Sequence, residues 1–359
     1  MLRFIIKRLF YGVLVLLGVI IIVFFLFNVL PGDPARMMLG QRADAASIDA
    51  INKDLGRDKP LTVQFLMYLN DVSPISAHQT LNLQSTFYLS PLKYIHYLPL
   101  YTSQSGYAIV LKQPYLRRSY QSKKQVTEII LEALPGTAVL TIAAMLLATI
   151  LGISLGVWAA VNKNSLIDRF SLVFSILGMS APSFFAGILI AWLFGFVLSK
   201  YTGLNMTGSL YSMNPFDGEV LELKNLILPA IALGIRPLSI IVQLTRSSML
   251  DVLSQDYIRT AKAKGLHYRV VLFRHALKNA LNPVVTAISG WMASLMAGAF
   301  FIEFIFGWKG IGSVTVNALD KYDLPVVMGS VFFIAVFFVL MNIIVDICYG
   351  LIDPRIRVQ

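Results

Sequence analysis

Residues Ser248 to Asn282, SMLDVLSQDYIRTAKAKGLHYRVVLFRHALKNALN, decide how the rest of the chain is read. The stretch is polar enough to lie in water, yet it keeps helical periodicity. Leu250, Leu253, Tyr257 and Ala261 recur at i, i+3, i+7 and i+11, which is one apolar stripe of a helix. Gly265 follows, and glycine takes the left-handed conformation that closes a helix without steric cost. A second stripe runs through Val270, Phe273, Leu277 and Leu281. The spacing predicts two short helices turned about a glycine. Arg246, Arg259, Lys262, Lys264, Arg269, Arg274 and Lys278 make this connection strongly basic. Thr260, Ala261 and Ala263, beside Tyr257, keep one side of the first helix thin enough to enter a cleft in another protein.

Apolar blocks flank this turn on both sides. Of 359 residues, 57% are hydrophobic and 14% charged, whereas a soluble domain carries about 25% charged residues. Too few charges are present to wet the whole surface, which excludes an ordinary soluble enzyme. A spanning helix needs about 20 apolar residues to cross roughly 30 Å of hydrocarbon. Six segments qualify: Leu9–Leu30, Gly136–Val161, Ser171–Leu198, Ile227–Leu250, Pro283–Phe306 and Pro325–Leu351. Ala181-Pro182-Ser183 interrupts the third, where the proline is expected to kink the helix rather than end it. The chain is thus expected to be an all-α membrane protein with six transmembrane helices.

The net charge of +11 lies largely between these blocks, so it points to a lipid bilayer and not to nucleic acid. Arg3, Lys7 and Arg8 precede the first span and place the N-terminus in the cytoplasm by the positive-inside rule. Lys163, Arg169 and the basic turn then fall inside, and Arg355 and Arg357 close the chain there. Asp217, Glu219 and Glu222 mark an acid-leaning outside connection. The first span is too long for a signal-peptide core, and Leu30-Pro31-Gly32-Asp33-Pro34 is a poor cleavage site. The expected organisation is an N-terminal segment with the first span (1–30), an extracytoplasmic region (31–130) and a core of five further spans (131–359). The cytoplasmic loop 248–282 lies within that core.

In the extracytoplasmic region, Leu55 to Tyr68 carries Leu61, Phe65 and Tyr68 at helical spacing and reads as a short amphipathic helix. Val72–Pro114 forms either a small ordered domain or a lid on the membrane surface. Tyr94, Tyr97 and Tyr101 either sit at headgroup level or pack in that domain's core. The single cysteine, Cys348, permits no intrachain disulfide, and one Cys with four His gives no usual zinc ligand set. No metal site and no catalytic group is expected.

Ionisable groups at membrane depth are costly and face protein or water. Arg236 and Glu303 are therefore candidates to line a translocation path, and Arg236 alternatively pairs with Asp346 or Glu303. Gln243, Asn342 and Asp346 are expected to make polar contacts between helices. Pro182 and Ser183 mark either a gating kink or a purely steric one. No histidine lies within a span, and no nucleophile motif accompanies one, which argues against an intramembrane hydrolase. A secondary transporter would show inverted repeats; none is evident, and the basic turn would then have no task.

Asp256-Tyr257-Ile258-Arg259-Thr260-Ala261-Lys262-Ala263-Lys264-Gly265-Leu266 resembles the coupling loop of permease subunits in ABC importers, in the form of the dipeptide, oligopeptide and nickel branch. Arg274-His275-Ala276-Leu277 and Asn279-Ala280-Leu281 resemble that branch too. So do Leu30-Pro31-Gly32-Asp33-Pro34-Ala35, Asp58-Lys59-Pro60-Leu61, Arg118-Ser119-Tyr120, Phe301-Ile302-Glu303, Gly310-Ile311-Gly312 and Asp353-Pro354-Arg355. Lys309 stands where the family usually has proline, and the stretch from Asn70 to Leu116 is longer than the family's linker.

The resemblance implies a type I importer permease fold in a bacterial cytoplasmic membrane, importing di- or oligopeptides. It also implies a second homologous permease as a heterodimer partner, two ATP-binding subunits and an extracytoplasmic substrate-binding protein. Asp256, Tyr257, Arg259, Thr260, Ala261, Ala263, Lys264 and Gly265 would couple the spans to the ATPases. The chain has no Gly-x-x-x-x-Gly-Lys-[Ser/Thr] loop, so ATP and Mg would bind partner subunits and no cofactor this chain.

Overall fold

Where the sequence supplies long apolar runs, the chain forms helices whose backbone groups are satisfied internally. The computed structural model describes residues 2–29, 52, 56–91, 93–214 and 218–352. Helix α1 (Leu2–Val29) is followed by α2 (Leu61–Val72) and strands β1 (Ile75–Gln79), β2 (Tyr97–Thr102) and β3 (Tyr107–Lys112). Then come α3 (Val126–Val161), α4 (Leu166–Ser180), α5 (Ser183–Trp192), α6 (Ser199–Thr202) and a hairpin of β4 (Tyr211–Asn214) and β5 (Gly218–Leu221). Helices α7 (Lys224–Leu253), α8 (Asp256–Ala263), α9 (Tyr268–Val270) and α10 (Lys278–Ala280) build the region of the basic turn. The chain ends on α11 (Asn282–Gly298), α12 (Phe300–Phe306), α13 (Ile311–Asp320) and α14 (Leu324–Ile352). Wider π-helical turns continue α5 over Leu193–Val197 and join α9 to α10 over Val271–Leu277.

Among the described residues, α1, α3, α7 and α14 are each long and apolar enough to cross a membrane. Two bent pairs raise the number to as many as six: α4 with α5 and its π turn, bent by 111°, and α11 with α12, bent by 60°. The 111° bend corrects the expectation at Pro182. The helix ends at Ser180, Ala181 turns extended (φ −70°, ψ 130°), and a new helix starts at Ser183. Proline lacks the N–H needed to continue the ladder and pushes the residue before it out of the helical region. Pro135, Pro229 and Pro237, by contrast, lie within helices that continue through them.

The chain forms two compact units. One comprises Met1–Leu9, Ala133–Ser313 and Phe337–Gln359, the other Phe10–Glu132 and Val314–Val336. The core of the first is Leu140, Ala144 and Ala148 of α3, Leu233, Leu238, Ile241 and Val242 of α7, and Ile302, Phe306 and Trp308. Helix α7 is its centre: 67% of its apolar window is covered, against 22% for α1.

The second unit departs from the all-α expectation, because the insertion folds as a sheet. Its strand order is β1-β3-β2, antiparallel, with Ile75 opposite Leu111 and Tyr97 opposite Lys112. On β3 the residues alternate: Ala108, Val110 and Lys112 are buried, Tyr107, Ile109 and Leu111 exposed, the period-2 pattern of a strand covered on one face. Tyr94 lies in the core with Leu89, while Tyr97 and Tyr101 are exposed. Polar groups are tied together beneath the sheet. Tyr94 Oη donates to Asp71 Oδ1 (2.6 Å), and Lys112 Nζ donates to the carbonyls of Asp71 (2.7 Å) and Ser73 (3.1 Å). Burial lowers the Lys112 ammonium to about 8 and pushes the Tyr94 phenol up.

Helix α2 begins after Pro60 and runs on to Val72, later than the Leu55–Tyr68 expectation at both ends. Its Phe65 and Tyr68 pack on Phe24 of α1, with ring centroids 5.1 and 5.9 Å away. Leu55, the Leu30–Ala35 turn, Asp217, Asp353-Pro354-Arg355 and Arg357 lie outside the described residues.

Candidate functional site

The basic turn is built on the end of α7. Leu253 is the last residue of that helix, and Gln255 is extended (ψ 150°) before α8 starts at Asp256. The stripe expected through Leu250, Leu253, Tyr257 and Ala261 is therefore broken by a change of direction. Ile258 and Ala261 are the residues that α8 buries, against Met249, Val271, Leu272, Ala276 and Ala280. Tyr257 is 43% exposed, and its hydroxyl accepts from Asn279 Nδ2 (3.0 Å).

The outward face of α8 carries Asp256, Tyr257, Arg259, Thr260, Lys262 and Ala263. Thr260 Oγ1 bonds back to the Asp256 carbonyl (3.0 Å), and Asp256 and Arg259 form a solvated i,i+3 pair at 3.5 Å. Lys264 is the C-cap, and Gly265 takes φ +75° with open space where a side chain would stand. Ala261 does not belong to the thin outward side. At 8% exposure it is one of the two contacts that seat the helix.

The second half of the turn corrects the expected stripe Val270, Phe273, Leu277 and Leu281. The wider π turns over Val271–Leu277 shift the face by a fraction of a turn, so Val271, Leu272, Ala276 and Ala280 face inward. Val270 and Phe273 are exposed. A period of 3.6 residues does not find this face.

Sequence reading also missed the tie that fixes the base of the turn. Asp168, 2% exposed at the start of α4, receives Arg246 of α7 through both Nε and Nη2, the latter at 2.8 Å. The backbone N–H of Asn164 donates to the same carboxylate (2.9 Å), and Ser165 caps α4 by accepting from Asp168 N. A bidentate guanidinium–carboxylate pair fixes direction as well as distance. Its only sequence signal was the Ser-x-x-Asp at the helix start, an N-cap pattern.

The residues expected along a path divide. Glu303 is fully buried: Oε1 accepts from Thr137 Oγ1 (2.7 Å) and Oε2 from the backbone N–H of Ser313 (3.1 Å). Thr137 Oγ1 in turn accepts from Ile311 N (2.8 Å). A methyl at Gly310 would collide with this carboxylate. Glu303 thus holds the start of α13 rather than lining a path. Trp308 Nε1 donates to the Gly136 carbonyl (2.9 Å) beside it. Lys309 uses an N–H that proline lacks, donating to Ser209 Oγ (3.1 Å).

Asp346 pairs with Arg8, joining α14 to α1 at 3.0 Å. Asn342 donates to Phe338 O in its own helix (2.8 Å) and has no hydrogen bond to another helix among the described residues. Gln243 is half-buried on α7 and has no hydrogen bond to another helix among the described residues. Arg236 pairs with neither Asp346 nor Glu303. It is exposed near the middle of the 30-residue α7 and has no hydrogen bond or ion pair among the described residues. Pro182 and Ser183 form the break between α4 and α5. No group of three or more His, Cys, Asp or Glu able to hold a metal occurs among the described residues.

Residues 152–358 match the family model described as the binding-protein-dependent transport system inner membrane component, and residues 1–81 match that family's N-terminal model. The chain is 34% identical to the dipeptide transport system permease protein DppB of Alkalihalophilus pseudofirmus, over 99% of this chain and 100% of the relative. It is 35% identical to the di/tripeptide transport system permease protein DppB of Pseudomonas aeruginosa, over all of both. It is 33% identical to the glutathione transport system permease protein GsiC of Salmonella typhimurium, over 99% of each. With more than half its length under one family model and full-length relatives beside it, this chain belongs to the binding-protein-dependent transport system inner membrane components, as a transport subunit and not an enzyme.

Proposed function

We propose that this chain is one half of the translocation path of an ATP-driven peptide importer in a bacterial inner membrane. It pairs with a second, distinct permease, two ATP-binding subunits dock below the pair, the turn around Gly265 couples this chain to them, and a substrate-binding protein delivers di- or oligopeptides from outside. ATP and Mg bind the partner subunits. One observation carries the reading: α8 buries only Ile258 and Ala261 and presents Tyr257, Arg259, Thr260, Ala263 and Lys264 outward beside an open Gly265. That is a small knob whose outward face makes few ties within its own chain.

Six crossings follow from charge. If the α4–α5 pair dipped into the membrane and returned, α7 would carry Arg259, Lys262, Lys264, Arg269, Arg274 and Lys278 to the same side as the sheet insertion. The positive-inside rule opposes that. Counted as a span, the pair leaves the basic turn and both termini in the cytoplasm and the sheet outside. Nucleotide at the ATPases and peptide at the binding protein then bias one two-state pore from its two ends.

Site-specific cross-linking with uptake tests the reading. Ala263→Cys, in a Cys348→Ser background, should cross-link to an ATPase subunit in native membranes. The complex in proteoliposomes should take up dipeptide only with ATP and binding protein. Uptake driven by an ion gradient without ATPase subunits would overturn it.

A further inference from the structure

One side of α7 runs through Arg236, Ile240, Gln243 and Ser247, spaced i, i+4, i+7 and i+11, with Arg236 and Ser247 exposed and Ile240 and Gln243 half-buried. This is the least covered strip of the most covered helix. Helix α11, which packs on α7, leaves a second strip of small residues exposed: Thr286, Gly290 and Ser294. A methyl at Gly290 would meet nothing within 4 Å. The Thr286 hydroxyl is met by the Asn282 carbonyl of its own helix (3.1 Å), but the exposed guanidinium of Arg236 at membrane depth needs water or a polar partner. Within these strips Arg236 is the one charged group. The acids that might have answered it are occupied: Glu303 is enclosed with Thr137 and Ser313, and Asp346 is joined to Arg8.

We propose that Arg236 is an anion-reading station on the path, where the guanidinium of α7 receives the free C-terminal carboxylate of a peptide in transit. This rests on the reading of the chain as a path-lining permease and names what its path recognises. A planar guanidinium offers paired N–H donors that match a carboxylate bidentately. A peptide in transit carries a carboxylate that must shed water on entering a low-dielectric passage, and a fixed cation of the opposite sign lowers that cost. This chain supplies no carboxylate on either strip for the ammonium end, so its half of the path reads the C-terminal end.

The test uses the whole transporter in proteoliposomes, with Ile240→Cys placed one turn from Arg236 and Cys348→Ser removing the other thiol. The label on this chain is read by mass after brief exposure to an anionic (sulfonate) or a cationic (trimethylammonium) methanethiosulfonate. The introduced thiol should label from water, with the anionic reagent favoured about tenfold. Arg236→Gln should abolish that preference and Arg236→Lys should retain it. Ala-Ala should slow anionic labelling, and its C-terminal amide should not. If neither reagent labels the introduced thiol, the strip is not a water-filled path and the permease-path reading fails with the inference. If both label equally whether or not Arg236 is present, or if dipeptide and amide protect alike, the strip is a path but Arg236 does not read carboxylates.

Discussion

Two turns of the helical unit close on a glycine with positive φ, and they are built on opposite principles. At Gly307 (φ +62°) the chain enters the Trp308–Ser313 turn, where Glu303, Thr137, Trp308 and Gly136 exchange buried hydrogen bonds. At Gly265 (φ +75°) the chain leaves α8 into open space, with its charges solvated and two apolar side chains as anchor. In the first, polarity is spent within the chain. In the second it is left for something else. A buried polar group is expensive unless satisfied, so a closed network fixes one geometry, whereas an exposed charge contributes little to stability and is free to choose a partner. Their substitutions should therefore separate stability from transport.

The widest separation is expected at Glu303. Glu303→Ala leaves Thr137 Oγ1 and the Ser313 N–H without their acceptor, and should lower the stability of the purified complex by about 3 kcal/mol. Glu303→Gln, which keeps an acceptor oxygen, should recover part of it. Thermal unfolding in detergent measures both, and an unchanged midpoint for the alanine variant would erase the contrast between the turns.

Next comes the base of the open turn. Asp168→Ala strands Arg246 and should cost about 3 kcal/mol at most, because Arg246 retains some solvent. Hydrogen exchange should rise at α4 and at the α7–α8 junction. Exchange that rose only in α12 and α13 would show that the two turns are not independent.

Gly265→Ala forces a side chain into the left-handed region, at about 1 kcal/mol. Uptake should fall more than tenfold with a far smaller change in unfolding midpoint. Tyr257→Ala, on the exposed face, should repeat the loss of uptake with stability within about 0.5 kcal/mol. Loss of stability and uptake in step would return the Gly265 turn to the structural class.

The smallest effect belongs to the sheet. Burial, and then the charge of Lys112, lower the His78 pKa below 6.5. The unfolded chain then takes up the proton more readily than the folded one. Stability is full above pH 6.5 and declines as pH falls below it. Exchange over residues 75–112 should quicken modestly between pH 7.5 and 5.5, and His78→Gln should flatten the dependence.

Legibility followed the range of the forces involved. Runs of apolar residues and Gly265 speak locally, so most of the apolar segments coincide with described helices or a bent pair to within a few residues. The exceptions are α1 and α3, which start well before their apolar runs. Leu2–Arg8 and Val126–Pro135 are helical without being uniformly apolar. Pro182 was read as a kink because a proline's effect depends on what holds the flanking turns. The inward face of residues 271–277 was missed because the π turns change the period on which pattern reading relies. Glu303 with Thr137 and Arg246 with Asp168 were invisible for another reason: the partners lie 166 and 78 positions apart. The sheet was not legible, since Val72–Pro114 was open between a small ordered domain and a lid and its strands are only five or six residues long.

The length of α3 has a consequence for the solvent the protein lives in. Its 36 residues make a rod of about 54 Å, nearly twice a hydrocarbon core of roughly 30 Å. Glu128 and Glu132 lie in its first two turns, so that end is the wet one. A rod with surplus length meets a thicker bilayer by immersing another turn and a thinner one by tilting, each at a fraction of a kcal/mol per Å. Acyl-chain length should therefore be a weak variable for this subunit, and lipids chosen for reconstitution can be selected for headgroup charge instead.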